Sequence, residues 1–516
     1  MTQAIGNFNK LLLVLLFLII LAVVELFVIT SRFSLLPDSY YYVYEHSIID
    51  VVASGHLGAL RWTFDNFASS PGTIVLNCFL GLISGLGVLH TSFMEGLLIT
   101  LLLLLFAFIW LRSMYGDLDY MIGVTSIFSA GFTAVFYFMF TYATHAYLIL
   151  ILILTFPLSR MLKARSLRIE DTIMLVISTF SMVVVYLPMG IFMVALVSLL
   201  LFFLAVLRVN LKYVKLFTTL SFTIISIYYV YMGQFFFSDF NAFIHIIVEN
   251  LRFEQLQYAQ RVVAIRIEYD PVYSLLYLLS LLRFTLVFLI ILYSLFTLFT
   301  KRRTERPHQV IAFNLLGSLL YIAGVAIYVL VSSLSDYGTR IITISYACYL
   351  TTVYSALLYT KYNREKGSKQ FSIFRAAVAL FAVLSALGAI LTPIAQIYYG
   401  IKGFDWSTQY NYGEEGLWTS TFINNMLDQS LLNKISGTYR YIYLFSRYGI
   451  PYTIFNSRTN ISSVANSDSL VVIPTGIMEK PDSGFGPIPC GDFLKLVFAK
   501  NIVLNTGLSV VFERAL

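Results

Sequence analysis

Long apolar runs separated by short polar stretches organise most of the chain. They cover residues 11–30, 72–90, 93–111, 119–140, 144–158, 171–187, 189–207, 216–233, 274–300, 309–331, 341–360 and 376–397. Most approach the roughly 20 residues that an α-helix needs to cross a hydrocarbon core, so the pattern predicts a bundle of membrane-spanning helices. The rhythm changes beyond residue 398. "LWTSTFINNMLDQSLLNKI" has helical periodicity, whereas "YTIFN", "SLVVIP" and "LKLVFA" are short apolar runs of strand length. The predicted fold class is mainly α. A polytopic membrane helical bundle occupies 1–397, and a small mixed α/β domain occupies 398–516.

The polar positions set the expected topology. Basic residues gather between the runs as Arg160, Lys163, Arg165 and Arg168; Arg208, Lys212 and Lys215; Lys301, Arg302, Arg303 and Arg306; and Lys361, Arg364, Lys366 and Lys369. Such clusters mark cytoplasmic loops. Consecutive clusters are separated by paired spans, and 376–397 then carries the tail outside. Five apolar segments precede Arg160, and five crossings from a cytoplasmic N-terminus would place that residue outside. The weakest of the five is 72–90, "GTIVLNCFLGLISGLGVLH", whose glycines and asparagine suit a lipid-facing helix poorly. Read as a helix held at the outer face or re-entrant, it leaves about eleven spans. Residues 31–91 then form a first external loop and 234–273 a second large one, with the C-terminal domain extracytoplasmic. The run 11–30 is longer than a signal-peptide core and lacks a small-x-small cleavage site, so it reads as a retained span. Glu25 within it is expected to face the bundle, because a carboxylate is costly in lipid.

Composition agrees with this class. The chain is 59% hydrophobic and 12% charged, with mean hydropathy +0.80, far more apolar than a soluble domain. The net charge of +7 is dispersed over short loops rather than gathered on one surface, which argues against nucleic acid as a partner. Cys78 and Cys348 lie in apolar segments and Cys490 in the tail, a spacing that makes neither a disulfide framework nor a metal site.

The first exit from the membrane reads "PDSYYYVYEH". By itself Asp38 is an N-cap, its carboxylate accepting from the unpaired N–H groups of a first helical turn. Over the following residues Tyr41, Tyr44, Ile48, Val51 and Val52 recur at three- and four-residue steps, while His46, Asp50 and Ser54 follow a second line. That is an amphipathic helix lying along the outer membrane surface.

In "PDSYYYVYEHSIIDVVASGHL" the chain resembles the GT-C superfamily of membrane glycosyltransferases, which use polyprenyl-phosphate-linked sugars. There, too, a first span is followed by an acidic residue and an aromatic amphipathic helix ending near glycine. The likeness continues through a non-spanning apolar segment, a helix closing with "WLRSMYG", an outer turn "YATHAY" and a return through "LILILILTFPLSRMLKAR" to a basic loop. Two departures stand out. The acidic residue usual after Asp38 is Ser39, and the place of an acidic second outer turn holds Thr144 and His145. An Asp-x-Asp occurs instead at Asp117 and Asp119, on the expected cytoplasmic side, where it reads as a polar turn opening a helix.

The resemblance implies a glycosyltransferase fold and a lipid-phosphate sugar donor. It also implies that Asp38 is the base that deprotonates the acceptor hydroxyl. Arg340, in the short outer turn "SSLSDYGTRIIT", is the expected donor-phosphate ligand because a guanidinium makes forked phosphate contacts. Its structural alternative is an ion pair with Asp336. His46, His145 and Glu254 are the further polar groups expected to contact donor or acceptor. No residue is assigned to a metal and no cofactor is firmly called for, with a divalent cation left open. Membrane lipids and a polyprenyl-phosphate-linked sugar are the expected partners, with the acceptor left open among lipid, glycan and protein. The tail segment "GFDWSTQYNYG" does not match the Trp-Trp-Asp-Tyr-Gly motif of the superfamily's oligosaccharyltransferases, which favours transfer of single sugars. The competing class is a multi-span transporter or lipid flippase. Against it, the sequence shows no inverted repeat, and its polar residues concentrate in external loops.

Overall fold

The computed structural model describes residues 72–85, 88–116, 118–130, 142–164, 168–207, 212–231, 271–300, 308–330, 341–364, 373 and 375–387, and strands at 435–437, 452–454, 470–474, 500–505 and 509–514. The first of the described helices is α1, Gly72–Ser84, only 13 residues long. At 1.5 Å per residue it extends about 20 Å, short of the roughly 30 Å hydrocarbon core. Gly85, at φ 66°, closes it. A much longer helix follows, α2, Val88–Tyr115, which ends at Gly116 with φ 78°. The Gly116 N–H returns to the Arg112 carbonyl at 2.9 Å, the left-handed C-terminal stop that glycine makes without steric cost.

Helix α3, Tyr120–Ala130, starts where Asp119 Oδ1 accepts the Ile122 N–H at 3.1 Å. Helix α4, Tyr142–Ile153, already includes "YATHAY", which sequence reading takes as an outer turn. The apolar run after it contains no breaker before Pro157, so the helix extends back through these residues. At Leu154–Leu158 the helix widens to a π turn containing Pro157, and the Ser159 N–H reaches back to Leu154. Proline has no N–H and crowds the preceding turn, and the wider coil relieves both. Helix α5, Ser159–Ala164, completes this rod.

The remaining helices are α6, Ile169–Val185; α7, Leu187–Val206; α8, Lys212–Tyr231; α9, Pro271–Thr300; α10, His308–Leu330; α11, Tyr346–Arg364; and α12, Arg375–Leu387. Tyr186, in extended conformation, separates α6 from α7, and Pro188 sits in the first turn of α7, where its missing N–H costs nothing.

Helix α11 is the axis of the described bundle. Residues 344–357 are buried without interruption, and its contact with α10 is the most extensive of the helix pairs. The reason is Gly317 on α10. A Cβ there would lie 2.5 Å from the Cys348 carbonyl carbon and 2.5 Å from the Tyr349 nitrogen, so only glycine lets the two backbones approach this closely. The polar groups of α11 are then satisfied across helices. Thr352 Oγ1 donates to the Asn314 carbonyl at 3.2 Å and Asn314 Nδ2 donates to Ser355 Oγ at 2.8 Å. Trp110 Nε1 donates to the Ala347 carbonyl at 2.9 Å, and Tyr349 Oη donates to the Ala130 carbonyl at 3.0 Å.

Large apolar side chains cover the outside of the helices, among them Phe79, Phe180, Phe202, Phe222, Phe296 and Leu380. Lipid is the solvent that tolerates so much exposed apolar surface. Among the described residues, His145–Leu162 and His308–Ile327 are helical, long and apolar enough to cross a membrane.

The C-terminal strands are β1, Ile435–Gly437; β2, Tyr452–Ile454; β3, Leu470–Pro474; β4, Lys500–Asn505; and β5, Ser509–Arg514. They form one sheet in the order β2-β1-β3-β5-β4. β1 runs parallel to β2 and β3, whereas β5 is antiparallel to both β3 and β4. β1 leads to β2 through 438–451, and β2 leads past β1 to β3 through 455–469, each segment of the length a crossover needs. The predicted strands at "YTIFN" and "SLVVIP" coincide with β2 and β3. "LKLVFA" and most of the predicted helix from 417 lie outside the described residues.

Replacing Gly317 by alanine should lower the melting temperature in detergent markedly, since the added methyl meets backbone and overpacking costs roughly 1–3 kcal/mol or more. Gly190→Ala should cost less, because its Cβ would meet the side-chain tips of Val183 and Ile225 at 3.0 and 3.4 Å. Equal melting of Gly317→Ala and wild type would show that α10 and α11 do not pack as described.

Candidate active site

Near the start of α2, the carboxylate of Glu95 is held from two sides. Asn77 Nδ2 on α1 donates to Oε2 at 2.8 Å, and His145 Nε2 on α4 meets Oε1 at 2.7 Å. All three residues are buried, with exposures of 1% for Asn77, 4% for Glu95 and 5% for His145. A carboxylate this deep is tolerable only with partners that replace its hydration, and both oxygens have one. The bond to Oε1 puts a proton on Nε2 of His145 and fixes the orientation of the imidazole.

Sequence reading places His145 in an outer turn facing donor or acceptor. In the structure it lies within a helix and turns into the bundle against Glu95. Glu95 itself is absent from the predicted site, although "HTSFMEGLLIT" carries its signal, a carboxylate set inside an apolar run. Asn77, read only as a defect in segment 72–90, is its partner. Asp38, His46, Glu254 and Arg340 lie outside the described residues, as do Glu25, Asp117 and the first-loop amphipathic helix.

The opposite end of α2 carries a second polar group. Glu95 and Gly116 are about 30 Å apart along the helix axis, one hydrocarbon thickness. Here Asp119 pairs with Lys361 at the end of α11, and its N–H donates to Tyr354 Oη at 3.1 Å. Partial burial works against ionisation of Asp119. Lys361 and the Ile122 N–H outweigh it and hold the carboxyl below its ordinary range. Alongside, Ser159 Oγ donates to Ser113 Oγ at 3.2 Å, and Arg160 Nη1 donates to Asp171 Oδ1 at 3.0 Å. Asp119 is thus a helix cap and an ion-pair partner amid residues of the basic clusters. Its place is the end of α2 away from Glu95.

Among the described residues no three His, Cys, Asp or Glu side chains come together as metal ligands. A further buried charge, Arg283 on α9, is 4% exposed and lies 5.1 Å from the ring centroid of Phe284.

The cost of loosening the Glu95 group distinguishes what His145 contributes. His145→Ala should destabilise the protein in detergent by roughly 1–3 kcal/mol, because Oε1 is left buried without its donor. His145→Gln, which restores an amide donor, should recover a good part of that loss. Equal melting of wild type and His145→Ala would show that the Glu95 bond is not made.

No protein-family model matches the chain, and no curated protein matches it in sequence. Solved structures do match. ArnT from Cupriavidus metallidurans, bound to undecaprenyl phosphate, aligns over 97% of this chain and 98% of its own, at 13% identity and TM-score 0.51. The archaeal oligosaccharyltransferase AglB from Archaeoglobus fulgidus, in complex with an inhibitory peptide and a dolichol-phosphate, aligns over 90% of this chain and 69% of its own, at 14% identity and TM-score 0.54. The Archaeoglobus fulgidus oligosaccharyltransferase tethered to an acceptor peptide aligns over 97% and 74%, at 11% identity and TM-score 0.56. These likenesses run along nearly the whole chain, which shares its fold with ArnT and the archaeal oligosaccharyltransferase.

Proposed function

We propose that this protein is a membrane glycosyltransferase that moves a sugar from a polyprenyl-phosphate-linked donor to an acceptor hydroxyl on the extracytoplasmic side. The observation that carries the reading is the fold likeness over nearly the full length of ArnT, whose structure holds undecaprenyl phosphate. The acidic motif at Asp38, placed where the chain first leaves the membrane, supports the same chemistry. About eleven spans, a cytoplasmic N-terminus and an extracytoplasmic C-terminal domain complete the proposed arrangement.

In this reading Asp38 takes the proton from the acceptor hydroxyl as its oxygen attacks the anomeric carbon. The bond from that carbon to the phosphate oxygen breaks, its electron pair stays on the phosphate, and polyprenyl phosphate leaves with inversion at the sugar. Arg340 holds the departing phosphate through its planar fork of donors. The missing Trp-Trp-Asp-Tyr-Gly motif in the tail favours a single sugar as cargo.

Asp38→Asn should abolish transfer while the protein still folds, since asparagine caps a helix about as well as aspartate. Turnover at the wild-type rate would end the role of Asp38 as base. Binding of a polyprenyl-phosphate sugar to purified protein should weaken in Arg340→Lys and weaken further in Arg340→Ala. Equal binding by wild type and Arg340→Ala removes Arg340 from the donor site.

The orientation has its own test. Met121, 78% exposed at the start of α3, should when changed to cysteine react with an impermeant maleimide only from the cytoplasmic side. Ser407→Cys should react only from outside. The reverse pattern at Met121→Cys would place Asp119 on the extracytoplasmic face and overturn the topology.

A further inference from the structure

In the proposed topology the first external loop, 31–91, includes α1, a helix too short to be anchored as a span. Val75, Leu76, Phe79, Leu82 and Ile83 face outward from it. Apolar contact with lipid is non-directional, so this face sets neither the height nor the rotation of the helix. The inward face carries Thr73, Ile74, Asn77 and Cys78, all buried. Register therefore comes from that side, through the close fit of Gly72 against Val184 and Val185 and through directional bonds. Asn77 supplies one, donating to Glu95 Oε2 at 2.8 Å, while the other oxygen of the same carboxylate is held by His145 at 2.7 Å.

A single carboxylate thereby joins α1, α2 and α4, three helices that also pack against one another pairwise. The bonds lie in a buried environment, where removing one partner leaves a charge or an amide without compensation and the penalty is correspondingly large. The sharp turn at Gly85 does not supply the same restraint, because it lies at the C-terminal end of α1, the end farther along the chain from Asp38.

We propose that Glu95 is a positioning residue for glycosyl transfer: it locks α1 in register against α2 and α4 and so sets where the first external loop, with Asp38, re-enters the bundle. The catalytic consequence rests on the glycosyltransferase reading. The mechanical one does not.

Cys78 is a native reporter for the lock. It follows Asn77 on the inward face of α1 and is 8% exposed, while Cys348 on α11 is fully buried and serves as internal reference. In a Cys490→Ser background, N-ethylmaleimide labelling of each thiol is followed by mass spectrometry in detergent. Asn77→Ala and Glu95→Ala should each label Cys78 roughly tenfold faster than the parent, as expected when a buried hydrogen bond guarding a local opening is lost. Cys348 labelling should be unchanged. Asn77→Ala leaves the Glu95–His145 pair in place, so it remains decisive if Glu95→Ala fails to fold. Unaltered Cys78 labelling in Asn77→Ala overturns the lock.

The kinetic arm separates positioning from direct contact. Asn77→Ala should lower kcat by about 10- to 100-fold, the scale of a misplacement near 1 Å, while affinity for the polyprenyl-phosphate sugar stays near wild type. A wild-type kcat in Asn77→Ala, together with lost donor affinity in Glu95→Ala, would mean that Glu95 contacts substrate instead. If the parent protein transfers no sugar to any acceptor while its Cys78 labelling follows the expected pattern, the lock stands and the glycosyltransferase reading falls.

Discussion

The described bundle depends on the approach of two backbones at Gly317. With no side chain between them, α10 and α11 come close enough that a single added carbon would overlap main-chain atoms of Cys348 and Tyr349. Apolar burial offers little drive between helices in lipid, because the tails are as apolar as the side chains, so close packing and interhelical hydrogen bonds take over. Once α11 is seated, Trp110, Tyr115, Asn314 and the main chain of α3 all find partners along it. The helix that holds the described bundle together is therefore one of its more polar ones.

Around that axis, polarity is sorted to the two ends of α2. At one end Asp119–Lys361 ties α3 to α11 and Arg160–Asp171 ties α5 to α6, and although Asp171 is buried both basic side chains are more than half exposed. At the other, Glu95 joins α1, α2 and α4 inside the protein. The two groups answer to different physics. Ion pairs near water are individually weak and screened, whereas a buried carboxylate with two donors has no low-energy alternative once either donor is gone. The second kind of contact suits a junction that must hold one geometry.

That difference bears on the chemistry expected outside the membrane. A direct displacement at an anomeric carbon needs acceptor, base and departing phosphate aligned, and a base on a long external loop is only as well placed as the ends of that loop. In the proposed topology that loop includes α1, which Asn77 ties to the carboxylate that also holds α4. ArnT, bound to undecaprenyl phosphate, and AglB, in complex with a peptide and a dolichol-phosphate, share this fold at identities too low to carry residue roles between the chains.

Much of this was legible in the sequence because it depends on local pattern. Apolar run length predicted the helices, often to within a few residues. The glycines and Asn77 in segment 72–90 marked a helix unfit to span. "WLRSMYG" marked a helix end that Gly116 closes, and the resemblance drawn from the first-loop motif agrees with the fold likeness to ArnT and AglB. Other features depended on which runs become neighbours, which periodicity does not encode. Glu95 and His145 are 50 residues apart, and Gly317 meets Cys348 only because α10 and α11 are antiparallel and in one particular register. "YATHAY" reads as a turn from its polar residues, yet the helix behind it draws them in and Glu95 compensates the burial of His145. The sequence by itself determined a chain of long apolar helices with an acidic motif after its first apolar run. Only the tertiary structure decided that Asn77, Glu95 and His145 form one buried group, because bonds between distant helices exist only once packing has brought donor and acceptor within 3 Å.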